Sequence, residues 1–66
     1  MKNSIKVERA RLDMTQQDLA HALEVSRQTI NAIEKGKFNP STILALKISN
    51  QNKKSVNEIF SLEEND

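Results

Sequence analysis

The 66-residue sequence has no cysteine, one glycine, one proline, one histidine, and neither tryptophan nor tyrosine. Without cysteine there are no disulfides and no thiol nucleophile, which fits a reducing compartment. His21 stands alone, and one histidine without cysteine cannot assemble a usual structural zinc site. A single glycine, Gly36, cannot build a dinucleotide or phosphate loop. A chain of this length also leaves little room for a substrate pocket. We therefore expect no enzyme activity, no metal or cofactor, and no small-molecule ligand. The N-terminus lacks the basic, apolar and small-residue succession of a signal peptide. No apolar run approaches the roughly 20 residues of a membrane span. No helical segment joins a basic face to aromatic anchors, so membrane-surface binding is not expected either. The expected location is the cytoplasm.

What remains is one small domain, residues 1–66, near the lower size limit for independent folding; such a chain buries only about 60% of its unfolded surface. Net charge is only +1, but it is unevenly spread. Between Val25 and Asn57, the cations Arg27, Lys35, Lys37, Lys47, Lys53 and Lys54 face only Glu34, whereas Glu63 to Asp66 is acidic. A basic middle with an acidic tail points to one polyanion-binding face.

Helical signals recur at short intervals. A first helix is expected over about Ser4 to Leu12, with Ile5, Val7, Arg9 and Leu12 available for partial burial. The next start is sharper: Thr15 can cap, Asp18 can reach back from the third helical position, and Met14 can pack on Leu19. This predicts a helix over Gln16 to Leu23 that buries Leu19, Ala20 and Leu23. Eleven residues later Ser26 repeats the cap, starting a third helix at Arg27 whose buried face is Ile30 and Ile33. Gly36 supplies its left-handed end. Asn39 as cap and Pro40 as first residue predict a fourth helix to about Asn50. Its Ile43, Leu44, Ala45, Leu46 and Ile48 point nearly all round the cylinder, predicting burial on more than one side. Ser55 and Glu58 form a capping box for a last helix that carries Val56, Ile59 and Phe60 inward. The fold class expected is all-α, a compact five-helix bundle.

The second and third helices, about residues 15–36, form a unit joined by a very short turn, which leaves the start of the later helix projecting. Its exposed residues are Arg27, Gln28, Thr29 and Asn31. Arginine can grip guanine O6 and N7, glutamine or asparagine can do the same for adenine N6 and N7, and the threonine methyl can meet the thymine methyl. Gln16 lies at a helix start that favours an anion, and Lys35, Lys37 and Asn39 follow the third helix. These four suit phosphate.

The order Thr15-Gln16-x-Asp18-Leu19-Ala20, then Val25-Ser26-Arg27-Gln28-Thr29-Ile30-x-x-Ile33-Glu34-x-Gly36-x-x-Asn39-Pro40, resembles the Cro and phage-repressor type of helix-turn-helix regulator. Within that family the chain is similar to small stand-alone bacterial repressors, over about Ile5 to Leu62. The resemblance implies a lambda-repressor-like bundle that binds double-stranded DNA as a homodimer on a two-fold symmetric operator. It places Arg27, Gln28, Thr29 and Asn31 at base-reading positions. Gln16, Lys35, Lys37 and Asn39 fall at backbone-contacting ones, and Ser26 is a cap that also touches phosphate. It pairs Arg9 with Glu34. Dimer contact is expected from the fourth helix and from Val56, Ile59, Phe60 and Leu62. Gln51, Asn52 and Lys53 depart from the pattern, standing where relatives usually carry two apolar residues and a capping glycine. Some relatives pair their termini as two short strands, for which Met1–Asn3 and Ser61–Glu63 leave minimal room. The rival expectation is an antitoxin-like protein-interaction module that keeps the fold without reading DNA.

Overall fold

Four of the five helices begin at a serine or threonine whose hydroxyl accepts the backbone N–H three residues on. In a computed structural model describing Met1–Asp66, the order is β1 (Lys2–Asn3), α1 (Ile5–Arg11), α2 (Gln16–Leu23), α3 (Arg27–Glu34), α4 (Thr42–Asn52), α5 (Val56–Ile59) and β2 (Phe60–Ser61). Thr15 and Ser55 form complete capping boxes with Asp18 and Glu58, and Ser26 caps α3. The bounds of α2 are those expected from the sequence.

The helix ends share a second device. After α1, α2, α3 and α4, a left-handed residue lets two successive N–H groups fold back onto carbonyls of the last turn, satisfying acceptors that a helix end would otherwise leave unpaired. At α3 that residue is Gly36, φ 74°, as expected; its N–H donates to the Ile33 carbonyl and that of Lys37 to Ala32. With no other glycine in the chain, the remaining three places fall to Asp13, Glu24 and Lys53, all with positive φ.

Nine side chains make the core: Ile5, Leu19, Ala20, Leu23, Ile30, Ile33, Ile48, Ile59 and Phe60. Met14 and Val25 pack against it from the segments before α2 and α3, in the positions of hydrophobic staples. β1 and β2 pair antiparallel, Lys2 with Ser61 and Asn3 with Phe60. The termini therefore do form the minimal sheet, one residue earlier on the C-terminal side than expected.

Three expectations are corrected. The fourth helix does not start at Asn39 and Pro40: Ser41 is its cap, accepting from Leu44 N–H at 3.1 Å, and the helix runs two residues further, to Asn52. A cap with a hydroxyl bond outweighs the mere tolerance of proline at a first helical position. Second, α4 is buried on one side and not on more, because Ile43 and Leu46 are 69% and 53% exposed while Ile48 lies in the core. Third, Val7 faces solvent. It lies 200° around the helix from Ile5 at 100° per residue, whereas Arg9 and Leu12 share the Ile5 side and are half-buried.

The end of α4 is held by one long-range polar contact and two local ones. Arg11 donates Nη2 to the Asn52 carbonyl at 3.0 Å, and the Ser49 hydroxyl donates to the Lys54 carbonyl. Asn52 itself is only 1% exposed. Its Nδ2 donates to the Ile48 carbonyl one turn back, and its Oδ1 has no partner.

Candidate nucleic-acid interface

Ser26 fixes where α3 begins. Its Oγ accepts from Thr29 N–H at 3.1 Å, and Ile30 and Ile33 are buried against the core, while Arg27 and Gln28 stand exposed at the first turn. Placing a helix start in solvent requires its free N–H groups to be satisfied by the cap or by water. Here that geometry also projects the polar side chains of the first turn away from the protein.

The four residues expected to read bases are not equivalent. Gln28 is exposed and makes no side-chain hydrogen bond. The Thr29 hydroxyl lies 2.9 Å from Ser26 Oγ, so it is part of the cap, and its side chain is half-buried. Arg27 donates from Nη1 to Gln16 Oε1 at 3.3 Å. Asn31 is half-buried and accepts on Oδ1 from Gln16 Nε2 at 3.2 Å.

Gln16 thus does more than mark a helix start. Its Nε2 also donates to Glu34 Oε1 at 3.1 Å, and Glu34 is the partner of Arg9 through two hydrogen bonds, Nε to Oε2 at 2.6 Å and Nη2 to Oε1 at 3.0 Å. The remaining Arg9 nitrogen, Nη1, donates to the Met14 carbonyl at 3.0 Å. The side chains of Arg9 and Glu34 are 13% and 7% exposed. Hydrogen bonding to the carboxylate, against the opposing effect of burial, holds the Arg9 guanidinium above its ordinary range. The pair ties α1, the segment before α2 and the end of α3 into one frame. A bidentate fork of this kind adds directional specificity as well as energy.

Lys35, Lys37 and Asn39 are exposed and unpaired in the turn after α3. With Glu34 already paired to Arg9, the charge left free around the α3 C-terminus is positive. Ser26 has its hydroxyl engaged in the cap. No three His, Cys, Asp or Glu side chains converge anywhere in the chain, His21 is exposed, and no helix is long and apolar enough to cross a membrane.

Of the residues expected at a dimer face, Ile59 and Phe60 are 2% and 7% exposed and belong to the protomer core; Val56 is half-buried and Leu62 is 80% exposed. A mainly apolar groove lined by Met1, Pro40, Thr42, Ala45, Leu46, Val56 and Phe60 lies between α4 and α5, and Ile43 stands exposed on α4.

Sequence reasoning missed Asn3. Its Nδ2 donates to the Ile33 carbonyl at 2.8 Å and its Oδ1 accepts from Ile5 N–H at 3.2 Å, so β1 both starts α1 and grips the end of α3. An asparagine two residues before an apolar helical run is a readable capping signal. The convergence on Gln16 has no such local signature, because its partners lie 11, 15 and 18 residues away.

A family model described as helix-turn-helix matches residues 5–59. The chain is 50% identical over 66 residues to an uncharacterized HTH-type transcriptional regulator of Methanocaldococcus jannaschii, covering all of both chains. It is 45% identical over 64 residues to one of Bacillus subtilis, covering 97% of each chain. To one of Archaeoglobus fulgidus it is 44% identical over 64 residues, 97% of this chain and 90% of the relative.

Proposed function

From its place in the Cro/C1-type helix-turn-helix family of DNA-binding transcriptional regulators, to which this chain belongs, we propose that it is a sequence-specific repressor. In this reading two copies set α3 into successive major grooves of a two-fold symmetric operator, with half-sites about 34 Å apart. The observation that carries it is the exposed polar first turn of α3, anchored by a capped start and a buried Ile30 and Ile33. Arg27, Gln28 and Asn31 read base edges there, and Thr29 contributes its methyl group. Gln16, Lys35, Lys37 and Asn39 hold the sugar-phosphate backbone, with Ser26 beside them.

One such module makes few base contacts, so affinity has to come from two. The surface that supports pairing is the apolar strip of Ile43, Leu46, Val56 and Leu62 beside the α4–α5 groove. Ile59 and Phe60 support it from beneath rather than touching the second copy. Repression follows from occupancy: a regulator bound at the operator blocks the access of polymerase to it.

Selection from random duplexes tests the proposal directly. The expected product is an inverted repeat with half-site centres about 10 base pairs apart, with affinity falling steeply as salt rises. Recovery of no preferred sequence would overturn it in favour of a protein-interaction role.

A further inference from the structure

We propose that Glu34, acting through Gln16, sets the hydrogen-bonding polarity of the reading face, so that Asn31 presents a donor to the bases beside the obligate donor Arg27. This rests on the DNA-reading role proposed above and adds a positioning residue that itself touches no base.

The inference follows from which atoms can only give and which can only take. An ionised carboxylate accepts and never donates, whereas a guanidinium donates and never accepts. Glu34 Oε1 therefore requires the amide nitrogen of Gln16, which it receives at 3.1 Å. That choice turns Gln16 Oε1 outward, where Arg27 Nη1 donates to it at 3.3 Å. Arg27 demands the same orientation from the opposite side. Gln16 is thus fixed between an obligate acceptor and an obligate donor, and its amide has one satisfactory orientation.

The consequence passes to Asn31. Gln16 Nε2 also donates to Asn31 Oδ1 at 3.2 Å, which turns that oxygen toward Gln16 and leaves Nδ2 without a protein partner. Arg27 and Asn31 then read acceptors: O6 and N7 of guanine, N7 of adenine, or O4 of thymine. Arg9 stabilises the arrangement at its root, because its two bonds to Glu34 hold the carboxylate in place.

Glu34→Gln reverses the logic. Arg9 Nε keeps the oxygen of the new amide and the Nη2 bond is lost, so the NH2 at the former Oε1 place faces Gln16, which answers with Oε1 and gives up its bond from Arg27. Asn31 then donates Nδ2 to Gln16 and shows Oδ1 to the groove, where an acceptor suits adenine N6 or cytosine N4. Gln16→Ala leaves the Arg9 pair intact and removes the relay.

The experiment compares half-sites selected from random duplexes by the intact protein and by E34Q and Q16A. Arg27→Ala and Asn31→Ala identify the base pair each side chain faces, and circular dichroism and melting check folding. For E34Q the preference at the Asn31 pair should change from an acceptor edge to a donor edge, by about fivefold or more. For Q16A preference should relax at both pairs. A folded E34Q that selects the original half-site overturns the proposal, as does a Q16A that weakens all sequences equally. Should E34Q fail to fold, Q16A decides alone. If the unaltered protein selects no sequence, the DNA-reading role falls first and this inference falls with it.

Discussion

Arg9 and Glu34, 25 residues apart in sequence, meet through two hydrogen bonds of 2.6 and 3.0 Å with little solvent access. Removing either partner alone leaves a mostly buried charge without its counter-ion, which costs up to about 3–5 kcal/mol. That is comparable to the whole stability of a domain this small. Arg9→Met should therefore largely unfold the protein at ambient temperature. Arg9→Met combined with Glu34→Leu should recover a substantial part of the loss, because no lone charge remains. Urea titrations of the two single variants and the double variant measure the coupling, and a double variant as unstable as the sum of the singles would refute it.

The capping boxes make a separate pH prediction. Backbone N–H donation from Thr15, and then the Thr15 hydroxyl bond, hold the Asp18 carboxyl below its usual range; Ser55 does the same for Glu58. A depressed folded value means that the stabilisation is complete above the unfolded value, about 3.9 for Asp and 4.3 for Glu. It is lost as pH falls through the lower folded values. Melting temperature should thus decline from about pH 5 downward. Asp18→Asn, which keeps an acceptor but does not titrate, should flatten part of that decline, starting from a lower melting temperature at neutral pH and converging with the original protein in acid. An unchanged acid slope in D18N would show that its carboxylate does not contribute.

Lys53 occupies a left-handed conformation, φ 55°, that suits glycine. The backbone cost to a residue with a Cβ is about 1–2 kcal/mol, partly offset by the greater entropy glycine loses on folding. Lys53→Gly should stabilise by about 0.5–1 kcal/mol, raising the melting temperature by several degrees, and a lowered one would contradict this account. Asn52→Leu should add to it, since the unpartnered Oδ1 disappears from a buried site.

These residues also mark what was legible in the sequence. Starts at Gln16, Arg27 and Val56 could be read because a cap is local: Thr15, Ser26 and Ser55 lie three residues from the N–H groups they accept. The α4 start differs from the one expected at Asn39-Pro40 because the Ser41 hydroxyl, two residues after Asn39, accepts the Leu44 N–H. The end of α4 lies two residues beyond the Asn50 expected, because no glycine marks it and Arg11, which binds the Asn52 carbonyl, is 41 residues away. The family pattern supplied Arg9 with Glu34, but no spacing rule placed Gln16 among Arg27, Asn31 and Glu34. Long-range polar geometry of this kind exists only once α2 and α3 have docked.

Lys37 and Arg27 separate holding from reading. Lys37→Ala should weaken binding to all duplexes alike and lower the slope of log affinity against log salt by about 0.9. Arg27→Ala should cost about 1–3 kcal/mol at one base pair and relax preference there. Titrations of the selected operator and of single-position variants at several salt concentrations distinguish the two. A Lys37→Ala variant with altered sequence preference would make Lys37 a base reader.

The dimer proposal is tested at Leu46, which is 53% exposed and lies three residues from the exposed Ile43 on α4. Residues at this spacing share a helix face, and the groove beside Leu46 continues to Val56 and Phe60. Because Leu46 is outside the core cluster, Leu46→Glu should leave helicity and melting nearly unchanged while placing a charge in the pairing surface. Sedimentation should then show a monomer at concentrations where the original protein is a dimer. Operator affinity should fall steeply, since linking two half-site contacts gains about 10²–10⁴ over either alone, whereas binding to an isolated half-site should persist. Phe60→Ala is the contrasting control: with Phe60 only 7% exposed, it should unfold the protomer rather than separate two folded ones. A Leu46→Glu protein that still sediments as a dimer would move the interface elsewhere, and an original protein that is monomeric at micromolar concentration would remove it.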